Sequence, residues 1–196
     1  SITALCHRFN CWTFVDLIQA AGVCPIDLLS WQVDFAAGGT HKWLMGPEGL
    51  GYLYVAQRHR QALDPNVGGW LSCENAVDFL SCANRIDYHA PFVAAPACFE
   101  FSTLNNLSVF ALKATLDILL TLGITAIHQH VAAYLDLLEP QLIQRGFRSL
   151  RPSEPDQRGG SLAVQPPRHP HVAPEKLAAY WTDQLSLRSI VAASPD

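Results

Sequence analysis

Residues 33–55 constrain this chain more than any other stretch. They run from an apolar segment (Val33 to Ala37) through the small residues Gly38, Gly39 and Thr40 to His41, Lys42 and Trp43. A Gly/Pro turn follows at Gly46, Pro47 and Gly49, then a second apolar segment from Leu50 to Val55. The β-branched and aromatic residues of the second segment suit a buried strand. The glycines suit a turn in which backbones approach closely. Lys42 therefore lies on a tight connection between two strands. An amine in such a place is either snorkelling to water or held there for chemistry.

Composition sharpens that point. The chain of 196 residues holds three lysines, Lys42, Lys113 and Lys176, so one inside a glycine-rich turn stands out. A hydrophobic content of 49% is enough to bury a core in one domain or two small ones. A formal net charge of −4 argues against nucleic acid, and no Lys/Arg run suggests a membrane surface. The most apolar stretch, residues 109–122, contains Lys113 and Asp117 and is too short to span a bilayer. The six cysteines include no C-x-x-C pair, which is a poor zinc pattern and fits reduced thiols in a cytoplasmic protein. The chain opens on Ser1 and its only methionine is Met45, so it reads as a piece of a longer protein.

In chain order, residues 2–8 suit the end of a helix, and Cys11 to Val15 a short buried strand ending at Asp16. Open α/β sheets place ligand-binding groups just past such strand ends; the alternative reading is that Asp16 caps the following turn. Asp27 fits a helix N-cap. Residues 56–96 read as loops and short turns punctuated by Pro65, Gly68, Gly69, Pro91 and Pro96. Asn105 or Asn106 opens a helix that Gly123 ends, apolar on most faces and therefore expected to be buried. A second, amphipathic helix spans about 125–145, carries Pro140 and closes at Gly146. Beyond it we expect a smaller α/β unit: strands near 147–150 and 161–165, a helix from Pro174, and a last strand at 189–193.

Three motifs in this order resemble the class V aminotransferase superfamily of fold type I pyridoxal-phosphate enzymes. They are Val15-Asp16-Leu17-Ile18-Gln19-Ala20-Ala21-Gly22, then Asp34-Phe35 followed by His41-Lys42-Trp43-Leu44 and Gly46-Pro47-Glu48-Gly49-Leu50-Gly51, and Phe99-Glu100-Phe101-Ser102-Thr103-Leu104-Asn105. The superfamily includes cysteine desulfurases, selenocysteine lyases, isopenicillin-N epimerase-like proteins and kynureninases.

The resemblance implies an α/β fold with a mostly parallel sheet. Residues 1–123 would be the C-terminal half of the cofactor-binding large domain, and 124–196 a linking helix with part of a small C-terminal domain. It implies pyridoxal 5'-phosphate as cofactor and Lys42 as both Schiff-base lysine and proton carrier at the substrate α-carbon. Asp16 would hold the proton of the pyridine nitrogen, and Gln19 would bond the ring hydroxyl. His41 would contact the phosphate or ring. Thr103 would reach the phosphate in a neighbouring subunit, which implies a homodimer with its site at the interface.

Two departures stand out. Gly39 occupies a position where many members have a side-chain donor, and Thr40 can replace it only with its hydroxyl turned inward. Ser102 replaces a glycine before Thr103. An aminotransferase, lyase or epimerase acting on an amino acid is the first expectation. A kynureninase-like hydrolase comes next, hinted at by Gly69-Trp70. A desulfurase is disfavoured because no cysteine follows Cys98, and a catalytically silent truncated chain is the alternative of another class. His128 and His130 are two apart on a helix and share no face, which disfavours a metal pair. His169 and His171 sit among prolines and are expected to be solvated.

Overall fold

The structure, a computed structural model, describes residues 1–78 and 89–188. The chain divides into two compact units, Ser1–Ile124 and Thr125–Asp196. The first opens with helix α1 (Ile2–Arg8), whose N-terminus is capped by the Ser1 hydroxyl accepting from the Ala4 N–H at 3.2 Å. Strands β1 (Phe14–Asp16), β2 (Phe35–Gly39) and β3 (Gly51–Val55) form one sheet in that order. β1 runs parallel to β2, and β3 antiparallel to it, so the sheet is mixed. Connection length explains the difference. The Lys42 turn returns the chain directly beside β2, whereas residues 17–34 are long enough for a crossover to a parallel neighbour.

Alternation along β2 divides the core into two faces. Ala36 joins Leu17 and Val33 on one side, with Tyr52 and Tyr54 packed against them. Phe35 pairs with Val55 on the other, which gathers Ala95 and Cys98.

β1 is shorter than the expected strand, and it is not buried: Phe14 is 66% exposed. The polar residue before it, Thr13, is the buried one, because it is drawn into a hydrogen-bonded hub on Asp34. The Asp34 carboxylate is 1% exposed and accepts from His7 Nε2, the Thr13 N–H and hydroxyl, Arg58 and His59 Nε2 at 2.5–3.1 Å. Burial works to raise its proton affinity, but the bonds from His7, His59, Thr13 and Arg58 outweigh it and hold the carboxyl well below the usual range. A cavity of about 240 Å³ adjoins this hub, lined by His7, Cys11, Trp12, Arg58 and His59.

Residues 56–78 and 89–99 are mostly turns and short 3₁₀ segments, among them Gln57–His59, Trp70–Ser72 and Ala97–Phe99, with an isolated antiparallel bridge between Cys73 and Phe92. Asp27 caps a turn, not a helix, its carboxylate accepting from the Ser30 N–H at 3.0 Å. Helix α2 (Asn106–Leu122) begins at Asn105, whose side chain accepts from the Ser108 N–H at 3.1 Å, and ends at Gly123 with φ of 81°. It is not buried as expected. Only Ser108 and Leu119 are, while Leu107, Phe110, Leu120 and Leu122 face outward. An apolar surface defines what a helix could bury; burial itself requires an element packed against it.

In the second unit, α3 (Ile124–Gln144) carries Pro140 inside the helix. Strands β4 (Arg148–Ser149) and β5 (Val164–Gln165) pair antiparallel, and a 3₁₀ turn at Pro174–Lys176 leads into α4 (Leu177–Ser186). His169 is half-buried, contrary to expectation: its ring lies 4.7 Å from that of Tyr180, whose hydroxyl meets its Nε2 at 3.3 Å. The strand expected at 189–193 lies outside the described residues. Among those described, no single helix is long and apolar enough to cross a membrane.

Candidate active site

Parallel strands end at the same edge of a sheet, so Asp16 at the close of β1 and the turn after β2 share one edge. Asp16 is exposed, and its Oδ1 accepts from the Ile18 N–H at 2.9 Å. That bond folds the loop back on itself and leaves Oδ2 without a partner among the described residues. Gln19 follows in the same loop, exposed.

The Lys42 turn is built from its own backbone. The Thr40 N–H donates to the Leu50 carbonyl at 3.0 Å, the Gly46 N–H to the Thr40 carbonyl at 2.8 Å, and the Met45 N–H to the Lys42 carbonyl at 2.9 Å. Thr40 is fully buried, and its hydroxyl lies 2.8 Å from the Pro47 carbonyl and 3.1 Å from that of Leu50. The hydroxyl does turn inward, but its one proton goes to the turn itself, so Thr40 does not replace the donor missing at Gly39. Met45 adopts φ of 54°, a left-handed conformation costly for a side chain with a Cβ. The resulting frame is stiff and holds Lys42 outward. Lys42 is exposed, and its amine pairs with no described residue.

Two contacts join the Asp16 loop to this turn. Gly22, with φ of 98°, packs so closely on Trp43 that an added Cβ would lie 2.5 Å from the Trp43 carbonyl oxygen. The His41 ring folds over Gly39, where an added Cβ would lie 2.9 Å from its Cε1 and 3.3 Å from Ile18 Cδ1. Asp16, Gln19, His41 and Lys42 thus stand on two touching loops at one sheet edge. Thr103 stands on a third segment, the loop before α2; it is exposed and its hydroxyl bonds to no described residue. From α2, Leu112 reaches the turn, its Cδ1 3.0 Å from a Cβ added at Gly46.

Sequence reasoning missed Tyr52. It pairs with Gly38 across β2 and β3, and its hydroxyl oxygen would lie 2.5 Å from a Cβ on Gly38. That hydroxyl is sealed from water and has no hydrogen-bond partner among the described residues. Burial, and then the charge of Asp16, push its pKa up, so it stays a neutral donor. No motif marks it; only strand register could.

These residues fit a phosphorylated pyridine aldehyde: an exposed amine and a carboxylate oxygen without partners among the described residues, and the Tyr52 hydroxyl and His41 ring packed over Gly38 and Gly39, which lack side chains of their own. The description Aminotransferase class-V matches residues 1–182. An uncharacterized aminotransferase, YcbU, of Bacillus subtilis (strain 168) is 33% identical over 67% of this chain and 32% of its own length. A kynureninase of Salinispora tropica is 32% identical over 76% of this chain and 35% of its own. The chain thus spans about a third of the length of these curated relatives. The apo cysteine desulfurase of Thermococcus onnurineus NA1 superposes with a TM-score of 0.75 at 20% identity, covering 97% of this chain and 44% of that one, a likeness of fold. With the motifs, the shared sheet edge and a match over residues 1–182 in agreement, this chain belongs to the class V aminotransferase family, whose members are pyridoxal-phosphate enzymes of fold type I.

Proposed function

We propose that the protein acts on an amino-acid substrate with pyridoxal 5'-phosphate attached covalently at Lys42. The observation that carries this reading is the placement of an unpaired Lys42 amine and a half-free Asp16 carboxylate on two loops locked together at Gly22 and Trp43. When bound, the coenzyme supplies an electron sink for the pair released at the substrate α-carbon. Asp16 holds a proton on the ring nitrogen through the oxygen that Ile18 leaves free. Gln19 donates to the ring hydroxyl, and His41, resting on Gly39, bounds the ring or phosphate. With the coenzyme bound, the Lys42 amine would move the substrate α-proton as base and then acid. Thr103, exposed on its loop, serves the phosphate of a second copy, which makes the working unit a homodimer. Residues 1–123 form the cofactor-domain part and 124–196 the start of the small domain. The five described cysteines are all free, which suits a reducing, cytoplasmic setting.

Transamination, elimination or epimerisation at the α-carbon is the first reading of the reaction. Kynureninase-like hydrolysis is the second, favoured by the Salinispora tropica match across 76% of this chain. The test is borohydride reduction of the full-length protein with pyridoxal phosphate, followed by peptide mass mapping. The expected adduct is on Lys42; one on Lys113 or Lys176, or none, overturns the reading. A panel of amino acids including kynurenine, scored for keto acid, alanine, anthranilate and racemised product, then separates the two reactions.

A further inference from the structure

We propose that Tyr52 is a positioning residue for Asp16, its hydroxyl donating to the Asp16 carboxylate in the loaded site and so fixing which carboxylate oxygen faces the coenzyme. This inference rests on the reading above. It starts from a cost: a buried hydroxyl without a partner is unfavourable, and nothing in the packing of Tyr52 requires one, since phenylalanine would fill the same space. The hydroxyl is also placed with unusual economy. It stands where a side chain at residue 38 would begin, because Gly38 has none, and a Cβ there would lie 3.1 Å from the Ile18 nitrogen. That nitrogen is the donor that holds Asp16 Oδ1 at 2.9 Å. The phenol thus lies beside the one loop residue that anchors the carboxylate, and its field is felt: after burial, the Asp16 charge is the second cause of the raised Tyr52 pKa.

The chemistry follows from the donor inventory. A carboxylate is acceptor-only and takes more bonds than the single one Asp16 accepts among the described residues. A neutral phenol is donor-capable and here has no other acceptor among the described residues. When Asp16 turns one oxygen to a ring N–H, the phenol can satisfy one of the remaining lone pairs. It thereby restrains side-chain rotation and spreads the carboxylate charge. Tyr52 touches neither the reacting atoms nor the coenzyme in this scheme; it acts through Asp16.

The experiment compares Tyr52→Phe, Asp16→Asn and the double variant with wild type, all as full-length protein. Three quantities are read: melting temperature without coenzyme, the dissociation constant for pyridoxal phosphate, and the visible absorption band of the bound coenzyme. Wild type that takes up no coenzyme at Lys42 overturns the functional reading and this inference with it. Given uptake, Tyr52→Phe is expected to melt at the same or a higher temperature without coenzyme, since it removes an unsatisfied hydroxyl. It should bind coenzyme about tenfold more weakly, the loss of one charge-assisted hydrogen bond, and shift the absorption band. In the Asp16→Asn background the same substitution should change neither affinity nor band. Wild-type affinity and band in Tyr52→Phe, a full effect persisting without Asp16, or a lower melting temperature without coenzyme would each overturn the inference.

Discussion

Gly22 and Trp43 are in backbone contact: a Cβ on Gly22 would come within 2.5 Å of the Trp43 carbonyl oxygen and 2.9 Å of the Leu44 nitrogen. This contact joins the Asp16 loop to the Lys42 turn through two residues 21 positions apart in sequence. Gly22 also has φ of 98°, so alanine there is strained before it clashes. The atoms it would meet belong to backbone and have no rotamer by which to withdraw. Gly22→Ala is expected to push the Asp16 loop off the Lys42 turn, costing about 2 kcal/mol or more of stability. Borohydride trapping at Lys42 should fall with it. Thermal melts and adduct yield check both, and an alanine variant with unchanged yield would show that the loops need not touch.

Asp34 is the corresponding test of the hub at the opposite end of β2. The carboxylate is buried and collects donors from His7, Thr13, Arg58 and His59. Asp34→Asn removes the charge and turns one acceptor into a donor facing donors, at an expected cost of about 3 kcal/mol. The pH dependence has a definite sign. Because the folded carboxyl is held far below its ordinary value, its contribution is complete above the unfolded pKa near 4. The contribution is lost progressively as pH falls below that, where the unfolded chain takes up the proton first. Urea midpoints of wild type should fall between about pH 4.5 and 2.5, and those of Asp34→Asn should fall less over the same range.

How much of this was legible beforehand depends on how local the signal is. The Lys42 turn, the β3 strand, the Asn105 cap and the Gly123 stop were readable because each rests on a few neighbouring residues whose backbone preferences agree. The Asp34 hub was not, since its donors come from positions 7, 13, 58 and 59 and meet only after the sheet forms. Tyr52 escaped for the same reason: its meaning comes from Gly38 opposite, and a shift of one residue in register would turn it to the other face. The exposure of α2 was misjudged because hydrophobic periodicity reports what a helix offers, and not what lies against it. Asp16, Gln19, His41 and Lys42 were proposed from motif order, and the contacts between their two loops became visible only in three dimensions.

Thr40 separates a structural from a ligand-binding role. Its hydroxyl is committed to the Pro47 and Leu50 carbonyls inside the turn. Thr40→Val keeps the shape and removes the donor, leaving the Pro47 carbonyl unsatisfied at a cost of about 1–2 kcal/mol. Thr40→Ser should recover most of that loss. Below the melting transition, the Thr40→Val protein should keep the wild-type affinity for pyridoxal phosphate in a spectrophotometric titration. A drop in affinity without a drop in stability would instead make the hydroxyl a phosphate donor.

Arg151 offers an asymmetric prediction in the second unit. Its side chain is 3% exposed, and Nη1 pairs with Asp136 at 2.6 Å and Glu139 at 3.0 Å. Nε and Nη2 are buried without partners among the described residues. The guanidinium is thus desolvated on all sides but paired on one, which makes it an expensive charge whose value depends on its carboxylates. Glu139, which also accepts from the Ser149 hydroxyl, is held below the usual carboxylate range by Ser149 first and Arg151 second. Removing the acid leaves a buried cation with only the exposed Asp136, so Glu139→Ala is expected to cost about 3 kcal/mol. Removing the base with an apolar residue of similar length also removes the desolvated charge. Arg151→Met is therefore expected to cost less than Glu139→Ala, about 1 kcal/mol or under. Chemical denaturation of the two variants decides it: equal losses, or a larger one for Arg151→Met, would mean that the unpaired nitrogens of Arg151 carry no penalty in the folded protein.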